Sequence, residues 1–364
     1  MAGNTFGRIL QLTTYGESHG PAIGGVLDGF PSGIALDLRL VALEMDRRRP
    51  SGQAGTPRRE DDSVEWLSGL HPEADSQGRR LSLGTPIAFM VRNSNTKPAD
   101  YDALTDVFRP GHADATYQAK YGIRDVRGGG RSSARETAAR VVAGALAKQL
   151  LGPSVVIRAA VERAAGIQAM PPSAWDWANR DLSPVACPDL NASAAIEAEV
   201  AQRRADGDSA GGVVYLEILG LPAGLGEPVF DKLHATLGQG MLSINSVKGV
   251  EFGDGFAGAD LRGSEHNDAP SGDGTVRSNH EGGITGGLSN GRPITLRMAF
   301  KPVSSIAKDQ LAYSSDGQVQ KLKIDGRHDA LVLPRALPIV EAMAALALAD
   351  ALLMQKIHFK QYVL

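Results

Sequence analysis

The chain has 364 residues and a formal net charge of −3 at pH 7, with 42% hydrophobic and 22% charged residues. These values are typical of a soluble globular protein of one large or two ordinary domains, and the acidic balance with 5% aromatic residues argues against a nucleic-acid-binding module. The single cysteine, Cys187, excludes an internal disulfide framework and indicates a reducing compartment.

Hydrophobic periodicity predicts a chain of mixed helices and strands. In chain order, the predicted elements are a strand at 6–14, a helix at 36–48 stopped by Pro50, a strand at 86–91, a helix at 133–151 with Ser132 or Ser133 as its N-cap, a strand at 154–161, a helix at 192–204, strands at 212–219 and 293–300, and a last helix at 335–356. Residues 170–190 carry four prolines and two tryptophans, which predicts an irregular excursion. A tolerated surface insertion is the alternative to a role for it.

The most apolar segment lies at 337–354, where Pro338, Glu341 and Asp350 interrupt the run. These interruptions favour a helix buried in the protein over a membrane span. The first twenty residues contain no long apolar run, so no signal peptide is predicted. We therefore expect a cytoplasmic protein that does not associate with membranes.

Two parts of the chain show a weak internal sequence similarity. Residues 24–34 read GGVLDGFPSGI and residues 211–225 read GGVVYLEILGLPAGL, and a predicted helix follows each, the second at 229–241. We predict a single domain over 1–364, built from two related α/β halves at about 1–150 and 205–364. Since the glycine spacings differ by four residues, chance similarity stays open as the alternative.

The most informative segment is 108–137, which reads FRPGHADATYQAKYGIRDVRGGGRSSARET. With Arg140 just beyond it, the segment holds seven cations against three anions, three consecutive glycines, and a serine pair that opens a predicted helix. Glycines let the backbone approach a ligand closely, helix N-termini attract phosphate, and arginines bind carboxylate and phosphate in bidentate pairs. We interpret the segment as an anion site, with a solvated basic surface as the alternative.

Three histidines lie in glycine-containing turns. His19 lies in GESHG at 16–20, His112 follows Gly111, and His328 lies in GRHD at 326–329. Histidine titrates near neutral pH and can pass a proton to a leaving group. His19 and His112 are therefore candidates for acid-base chemistry, with a purely structural histidine as the alternative.

Generic motifs give no competing assignment. Residues 253–258 match the GxGxxG dinucleotide fingerprint, but a polar stretch follows where the crossover helix should begin. The sequence has no Gly-Lys dipeptide for a Walker A loop and no cluster with metal-ligand spacing. GESHG only superficially resembles the GxSxG nucleophile elbow.

Together these pieces resemble the chorismate synthase family over nearly the whole chain. The matching segments are GESHG at 16–20, DRRRP at 46–50, the block at 108–137, GDSAGG at 207–212, SINSVKGVEFG at 243–253, GSE at 263–265 with Asn267-Asp268, GGITGG at 282–287, KPVSSI at 301–306, GRHD at 326–329 and PRA at 334–336. So many segments in one order form a specific signal.

The resemblance implies a lyase that converts 5-enolpyruvylshikimate 3-phosphate to chorismate by a 1,4-anti elimination of phosphate, the last common step toward the aromatic amino acids. It implies dependence on reduced FMN without net redox change. It also implies an α+β fold, in which a helical layer lies between two antiparallel sheets, and a homotetramer. We expect no added flavin reductase domain, so an external reductase or reducing system would supply FMNH2, with NADPH at most an external reductant.

The same resemblance implies roles for individual residues. His19 would protonate the departing phosphate, His112 would stabilise the reduced, anionic flavin, and Asp329 would help take the proton, with Ser18 and Ser133 supporting the relay. The residues implied in FMN binding are Arg131, Ser132, Ser133, Asn245, Ser246, Gly286, Lys301, Pro302, Val303, Ser304, Ser305 and Arg327. The residues implied in contact with substrate or NADP are Arg48, Arg135 and Arg335, and no metal ligand is implied.

A few positions depart from the usual family pattern. Arg58 is the first arginine after DRRRP, where a nearer one is usual, and Asn95 stands in place of an aspartate. Ala330 stands where proline is common, and Val303 replaces a usual threonine. None of these changes removes a proposed acid, base or phosphate-binding arginine, so we expect an active enzyme. An inactive relative and an FMN oxidoreductase using the same pocket are the alternatives.

Overall fold

The computed structural model describes residues 3–49, 62–94, 104–273, 275–324 and 329–358. Its α-helices are α1 (Leu38–Arg48), α2 (Asp114–Tyr121), α3 (Thr137–Leu151), α4 (Asn179–Leu182), α5 (Leu190–Ala205), α6 (Leu233–Leu242), α7 (Gly263–His266) and α8 (Leu333–His358). Its strands are β1 (Thr5–Phe6), β2 (Gln11–Tyr15), β3 (Ala22–Asp28), β4 (Ala35–Leu36), β5 (Val64–Trp66), β6 (Leu70–Ala74), β7 (Arg80–Ser82), β8 (Ile87–Arg92), β9 (Val107–Phe108), β10 (Val156–Ala164), β11 (Ile167–Gln168), β12 (Gly212–Leu219), β13 (Val247–Phe252), β14 (Ile284–Thr285), β15 (Leu288–Ser289), β16 (Ile294–Phe300), β17 (Gln310–Ser314) and β18 (Val319–Leu322).

Two five-stranded antiparallel sheets enclose a helical layer. The N-terminal sheet has the order β1-β2-β3-β8-β5 and the C-terminal sheet has the order β11-β10-β12-β16-β13. Helix α3 packs on the N-terminal sheet, α6 and α8 pack on the C-terminal sheet, and α1 packs on α3 and α8. These layers confirm the predicted α+β fold. The proposed origin of the two halves from one ancestral unit stays a prediction.

Helix α8 lies at the centre of this layer. A segment of it, Leu333–Lys356, is long and apolar enough to cross a membrane, but 89% of the 18-residue apolar window is buried inside the protein. The prediction of a buried helix is therefore confirmed. Its two acidic residues are buried with partners: Glu341 contacts Arg47 of α1 and Lys148 of α3, and Asp350 accepts backbone hydrogen bonds from 8–10.

The predicted strand at 6–14 is wrong as a single element. The chain instead forms a hairpin in which Thr5 pairs with Thr13 and Phe6 with Leu12. The turn between the strands is held by Asp350, whose two carboxylate oxygens accept from the N–H groups of Arg8, Ile9 and Leu10 at 2.8–2.9 Å. A partner so far along the chain leaves no local sequence signal.

The helix predicted at 133–151 begins in two steps. Ser133 caps a 3₁₀ turn at Ala134–Glu136 by accepting from the N–H of Arg135, and α3 proper begins at Thr137. Ser132 is instead the last residue of a preceding 3₁₀ turn, Gly130–Ser132. The chain therefore makes two tight turns between the glycine triplet and α3, which keeps the triplet close to the helix start.

The excursion at 170–190 covers the outer face and the free edge of the C-terminal sheet. Trp175 is buried, and both Trp175 and Trp177 contact the ring of Tyr215 on β12. Its Ala186 carbonyl accepts from the N–H of Val161, on the part of β10 that β11 does not reach. The excursion thus satisfies backbone groups of an edge strand and shields that edge from pairing with another chain.

Candidate functional site

The glycine triplet brings the two candidate histidines to one turn. Gly128, Gly129 and Gly130 have φ of +63°, +83° and +53°, a region that side-chain-bearing residues avoid. A Cβ on Gly128 would lie 2.3 Å from Nδ1 of His19, and a Cβ on Gly129 would lie 2.8 Å from Cε1 of His112. Only glycine lets the backbone lie against both rings.

His19 lies in the loop at 16–21 between β2 and β3. The N–H of Gly20 donates to the carbonyl of Glu17 at 3.0 Å and closes a turn around Ser18 and His19. The Ser18 hydroxyl lies 3.2 Å from Nδ1 of His19, and it donates to the carbonyl of Gly128 at 3.4 Å. The loop and the glycine triplet therefore hold each other in place.

His112 lies beside a buried ion pair at the start of α2. Asp114, only 3% exposed, binds Arg109 through both carboxylate oxygens at 2.8 Å. Burial alone would raise the pKa of Asp114, but the hydrogen bonds from Arg109 and His112 outweigh it and hold that pKa well below its usual range. Because an ionised carboxylate only accepts, His112 donates to Asp114 when its Nδ1, 3.0 Å away, carries a proton.

The predicted substrate arginines form a second cluster around buried carboxylates. Asp62 is 2% exposed and contacts Nη1 of Arg48 at 3.2 Å and Nη1 of Arg135. Nη1 of Arg335 lies 2.6 Å from Asp329, and its Nε donates to the carbonyl of Arg48 at 3.2 Å. The structure therefore brings Arg48, Arg135 and Arg335 together with Asp329. Their guanidinium planes are fixed before any ligand binds.

Most other arginines of the basic segment bind nearby carboxylates or backbone carbonyls and do not form an open surface for anions. Arg127 pairs with Asp125, Arg140 pairs with Glu136, and Nη2 of Arg124 donates to three backbone carbonyls. Arg131, predicted to contact FMN, donates to the Thr14 hydroxyl at 2.7 Å and to the Gly16 carbonyl at 3.2 Å. It thereby anchors the strand and loop that lead to His19.

Several predicted flavin residues converge from the other side of His112. The amide Nδ2 of Asn245 donates to the Ser132 carbonyl at 3.0 Å. The N–H of Lys301 donates to the Ser246 carbonyl at 2.9 Å, and its Nζ donates to the Gly111 carbonyl at 2.6 Å. A Cβ on Gly111 would lie 3.1 Å from Cβ of Ser304, so the segment after β16 packs on the turn that carries His112.

The other residues predicted to bind FMN have fewer contacts with the segments around His112. Pro302 packs against Gly211, the Val303 carbonyl accepts from Ser209 at 2.7 Å, and Ser305 is half-buried in the same segment. Gly286 lies in the β14–β15 hairpin, at the start of α6, whereas Asn245 follows the end of α6. Within this chain Gly286 is therefore not brought to the other flavin residues. Arg327, with its neighbours Gly326 and His328, lies outside the described residues.

A cavity of about 840 Å³ opens between the β1–β2 hairpin, α2 and the end of α6. Its walls include Tyr117, Arg124, Arg131, Ser132 and Asn245, together with Gly129, which packs against His112. Among the described residues, two buried polar atoms of the lining lack a hydrogen-bond partner: Oδ1 of Asn245, and Nη1 of Arg124, which lies 3.9 Å from the Asp114 carboxylate.

These features fit a flavin nucleotide. Cofactor sites commonly enclose about 300–1,000 Å³. Buried polar groups are normally hydrogen-bonded, so these two atoms are compatible with a ligand that offers both a hydrogen-bond acceptor and a donor. FMN offers carbonyl and phosphate oxygens together with a ring N–H.

Sequence reasoning missed three polar residues that hold the site. Asp62 bridges two arginines, Asp114 contacts His112, and Asn93 donates to the loop of His19 while accepting from Nε of Arg135 at 3.2 Å. The spacing of His112 and Asp114, two residues apart beside Arg109, could have indicated the ion pair. Asp62 and Asn93 act over long sequence separations, so the neighbouring sequence does not show their partners.

Comparisons with known proteins point to one family. A family model described as chorismate synthase matches residues 10–353. The chorismate synthase of Christiangramia forsetii is 51% identical over 98% of this chain and 99% of its own length, and that of Porphyromonas gingivalis is 50% identical over 96% and 95%. A solved structure described as a crystal structure of chorismate synthase superposes with a TM-score of 0.72 at 30% identity, covering 96% of this chain and 93% of the other.

Proposed function

Because the chain belongs to the chorismate synthase family, and is therefore a lyase of aromatic amino acid biosynthesis, we propose that it eliminates phosphate from 5-enolpyruvylshikimate 3-phosphate to give chorismate. The elimination is 1,4-anti, requires reduced FMN and involves no net redox change. The observation that carries the proposal is the meeting of His19 and His112 on one glycine turn, beside a cluster of arginines held by Asp62 and Asp329.

The arginine cluster suits the charge of this substrate. The molecule carries one phosphate and two carboxylates, and Arg48, Arg135 and Arg335 offer guanidinium groups whose positions Asp62 and Asp329 already fix. Donors fixed in advance need no reorganisation when charge develops on the leaving phosphate, which is commonly a large catalytic term. The buried carboxylates also lower the net charge of the empty cluster, so the arginines remain compatible with a folded interior.

Proton transfer is assigned to His19 and Asp329. As the carbon–oxygen bond to phosphate breaks, His19 donates a proton to the departing oxygen, while Ser18, within 3.2 Å of its Nδ1, orients the ring. Asp329 helps to accept the proton lost from the substrate ring, with Ser133 supporting the relay. Nη1 of Arg335 contacts the Asp329 carboxylate at 2.6 Å and fixes its position.

The cavity beside the glycine triplet is assigned to the cofactor. Arg131, Ser132 and Asn245 line it, and Lys301 with Ser304 and Ser305 lies across the turn of His112. These residues would hold reduced FMN, whose chemistry there would be the transient supply of one electron to the substrate. His112, held by Asp114, stabilises the negative charge of the reduced ring.

We further propose a cytoplasmic homotetramer. FMN would arrive already reduced from an external reductase or reducing system, and NADPH would act only as the reductant outside the protein. The support for this arrangement is the family membership.

The proposal is tested by an anaerobic assay with purified protein, 5-enolpyruvylshikimate 3-phosphate and chemically reduced FMN. We expect chorismate and phosphate in equal amounts without net flavin oxidation. Oxidation of NADPH coupled to the substrate would indicate an oxidoreductase instead, and no product despite tight FMN binding would indicate an inactive relative.

The same assay tests the two histidines. His19→Ala should reduce turnover roughly 10²-fold to 10⁴-fold, the usual contribution of a positioned acid or base. His112→Ala should reduce it roughly 10²-fold to 10³-fold, the usual cost of removing one group that stabilises a negative charge. His71→Ala is the control because His71 is exposed on β6, and it should retain full activity. Near-full turnover in either of the first two variants would remove that residue from the mechanism.

A further inference from the structure

Asn93 follows β8 directly, at the base of the loop that carries His19. Strand β8 pairs with β3 so that Arg92 lies opposite Ala22. The next residue therefore meets the end of the loop, and the N–H of Asn93 donates to the carbonyl of Pro21 at 3.1 Å. The sheet register alone places the Asn93 side chain against residues 16–21.

The side-chain amide of Asn93 forms hydrogen bonds to two parts of the site, through its nitrogen to the loop and through its oxygen to Arg135. Its Nδ2 donates to the carbonyl of Glu17 at 3.0 Å and to the carbonyl of Gly20 at 2.9 Å. Its Oδ1 accepts from Nε of Arg135 at 3.2 Å. Because carbonyls only accept and a guanidinium only donates, these partners determine which end of the amide faces the loop and which faces Arg135.

The two carbonyls that Asn93 binds belong to the residues on either side of Ser18 and His19. We propose that Asn93 is a positioning residue that sets His19 relative to Arg135, and thus relative to the phosphate of the substrate. The inference rests on the proposed roles of those two residues. It goes beyond them because Asn93 touches neither substrate nor cofactor in that proposal.

The position of His19 in the loop at 16–21 depends on the Asn93 amide more than the position of Arg135 does. Arg135 is also held by Asp62. The two ends of the loop have other anchors, since Nη1 of Arg131 donates to the Gly16 carbonyl at 3.2 Å and the backbone N–H of Asn93 donates to the Pro21 carbonyl at 3.1 Å. Its middle, where His19 lies, is otherwise joined to the glycine triplet by the N–H and the hydroxyl of Ser18, both at 3.4 Å to carbonyls, near the limit of a hydrogen bond. Loss of the amide should therefore displace His19 and leave substrate binding largely intact.

Steady-state kinetics of two variants test whether loss of the amide affects catalysis without affecting substrate binding. Asn93→Ala should lower kcat roughly tenfold to a hundredfold, as expected for a misplaced catalytic group, with KM for 5-enolpyruvylshikimate 3-phosphate changed by less than about twofold. Asn93→Asp should lower kcat further, because it keeps an acceptor for Arg135 but sets a carboxylate oxygen against two carbonyl oxygens. Ser94→Ala, at the exposed neighbouring position, should behave as the wild type. An unchanged kcat in Asn93→Ala, or a rise in KM alone, would overturn the proposal.

Amide hydrogen exchange tests the same contact without any turnover. Two lost hydrogen bonds correspond to roughly tenfold to hundredfold faster local opening, so peptides covering residues 16–21 should exchange faster in both variants while α3 and α8 keep their wild-type rates. Unchanged exchange in the loop, or a uniform increase over the whole protein, would overturn a positioning role. If the wild type forms no chorismate, the proposed function fails, and the exchange measurement still decides whether Asn93 holds the loop.

Discussion

At the scale of single residues, the glycine triplet determines where the histidine rings lie. Gly129→Ala would place a Cβ 2.8 Å from Cε1 of His112 and 2.9 Å from Oγ of Ser132. Since a displacement of about 1 Å can cost roughly a hundredfold in rate, we expect turnover to fall at least about a hundredfold. The measurement is kcat with reduced FMN, alongside the denaturant midpoint of each variant.

The matched control is Gly122→Ala at the end of α2. Gly122 also has positive φ, of +72°, but a Cβ there would meet no atom of the described residues within 4 Å. Both variants should lose about 1–2 kcal/mol of stability from the left-handed backbone, whereas only Gly129→Ala should lose activity. Equal kcat in the two variants would show that the close approach to His112 has no catalytic consequence.

The candidate site could be predicted from the sequence where its parts lie close together along the chain. Gly128 and Gly129 within a basic segment indicated a close backbone approach, and the glycine-containing turns at His19 and His112 marked these histidines as candidates for acid-base chemistry. The role of Asp62 was not predictable, because Asp62 acts by binding Arg48 and Arg135, which only the fold brings to it. The separation of Gly286 from Asn245 was not predictable either. Gly286 lies at the start of α6 and Asn245 follows its end, so the length of that helix separates them in space.

At the scale of elements, α3 and α8 approach so closely that one contact leaves no room for a methyl group. A Cβ on Gly144 of α3 would lie 2.3 Å from Cβ and 2.4 Å from Cα of Ala342 on α8. Ala is the better helix former by about 1 kcal/mol, but backbone atoms of α8 cannot move aside without shifting the helix. We expect Gly144→Ala to lower the free energy of unfolding by about 1–3 kcal/mol, as overpacked cores do.

Gly238→Ala in α6 separates packing from helix propensity. Gly238 is also helical, but a Cβ there would meet nothing within 4 Å, so this variant should gain roughly 0.5–1 kcal/mol. Urea unfolding of both variants measures the difference. A stabilised Gly144→Ala protein would mean that the helices separate easily and that the close contact does not hold the layer together.

Most helices and long strands were predictable because their periodicity reflects burial on one face. The strand at 212–219 has the predicted limits, and α1 begins within two residues of its prediction, at Leu38 with Asp37 as the cap. The hairpin of β1 and β2 was missed because its turn depends on Asp350. The role of the excursion was also hidden, since the edge of β10 that it covers exists only in the folded sheet.

At the scale of the whole molecule, one buried carboxylate ties together helices from distant parts of the chain. Glu341 of α8 is 1% exposed and contacts Arg47 of α1 at 2.7 Å and Lys148 of α3 at 2.7 Å. It also accepts from the N–H of Ala159 on β10 at 3.1 Å. Burial alone would raise the pKa of Glu341, but the ammonium of Lys148 and the guanidinium of Arg47 outweigh it and lower that pKa.

This network predicts how stability depends on pH. A carboxyl group whose pKa is lower in the folded state stabilises the fold fully above its unfolded pKa, and this contribution is lost as the pH falls toward the folded value. Glu341→Gln removes that charge, but Arg47 and Lys148 keep Glu44 as a partner at 2.7 Å, so it should cost about 1–3 kcal/mol at pH 7, the usual range for hydrogen bonds to charged groups. The difference from the wild type should narrow as the pH falls below about 4.5, the ordinary value for glutamate.

Urea unfolding of the wild type and Glu341→Gln between pH 7 and pH 3 measures the change. Glu65→Gln is the control, because Glu65 pairs with Arg92 at the surface, where its side chain is 42% exposed. Such a pair contributes at most about 1 kcal/mol, so this variant should stay close to the wild type at every pH. A constant difference between Glu341→Gln and the wild type would show that Glu341 stabilises the layer through its hydrogen bonds and shape. A difference that narrows with acid would show that its negative charge holds α1, α3 and α8 together.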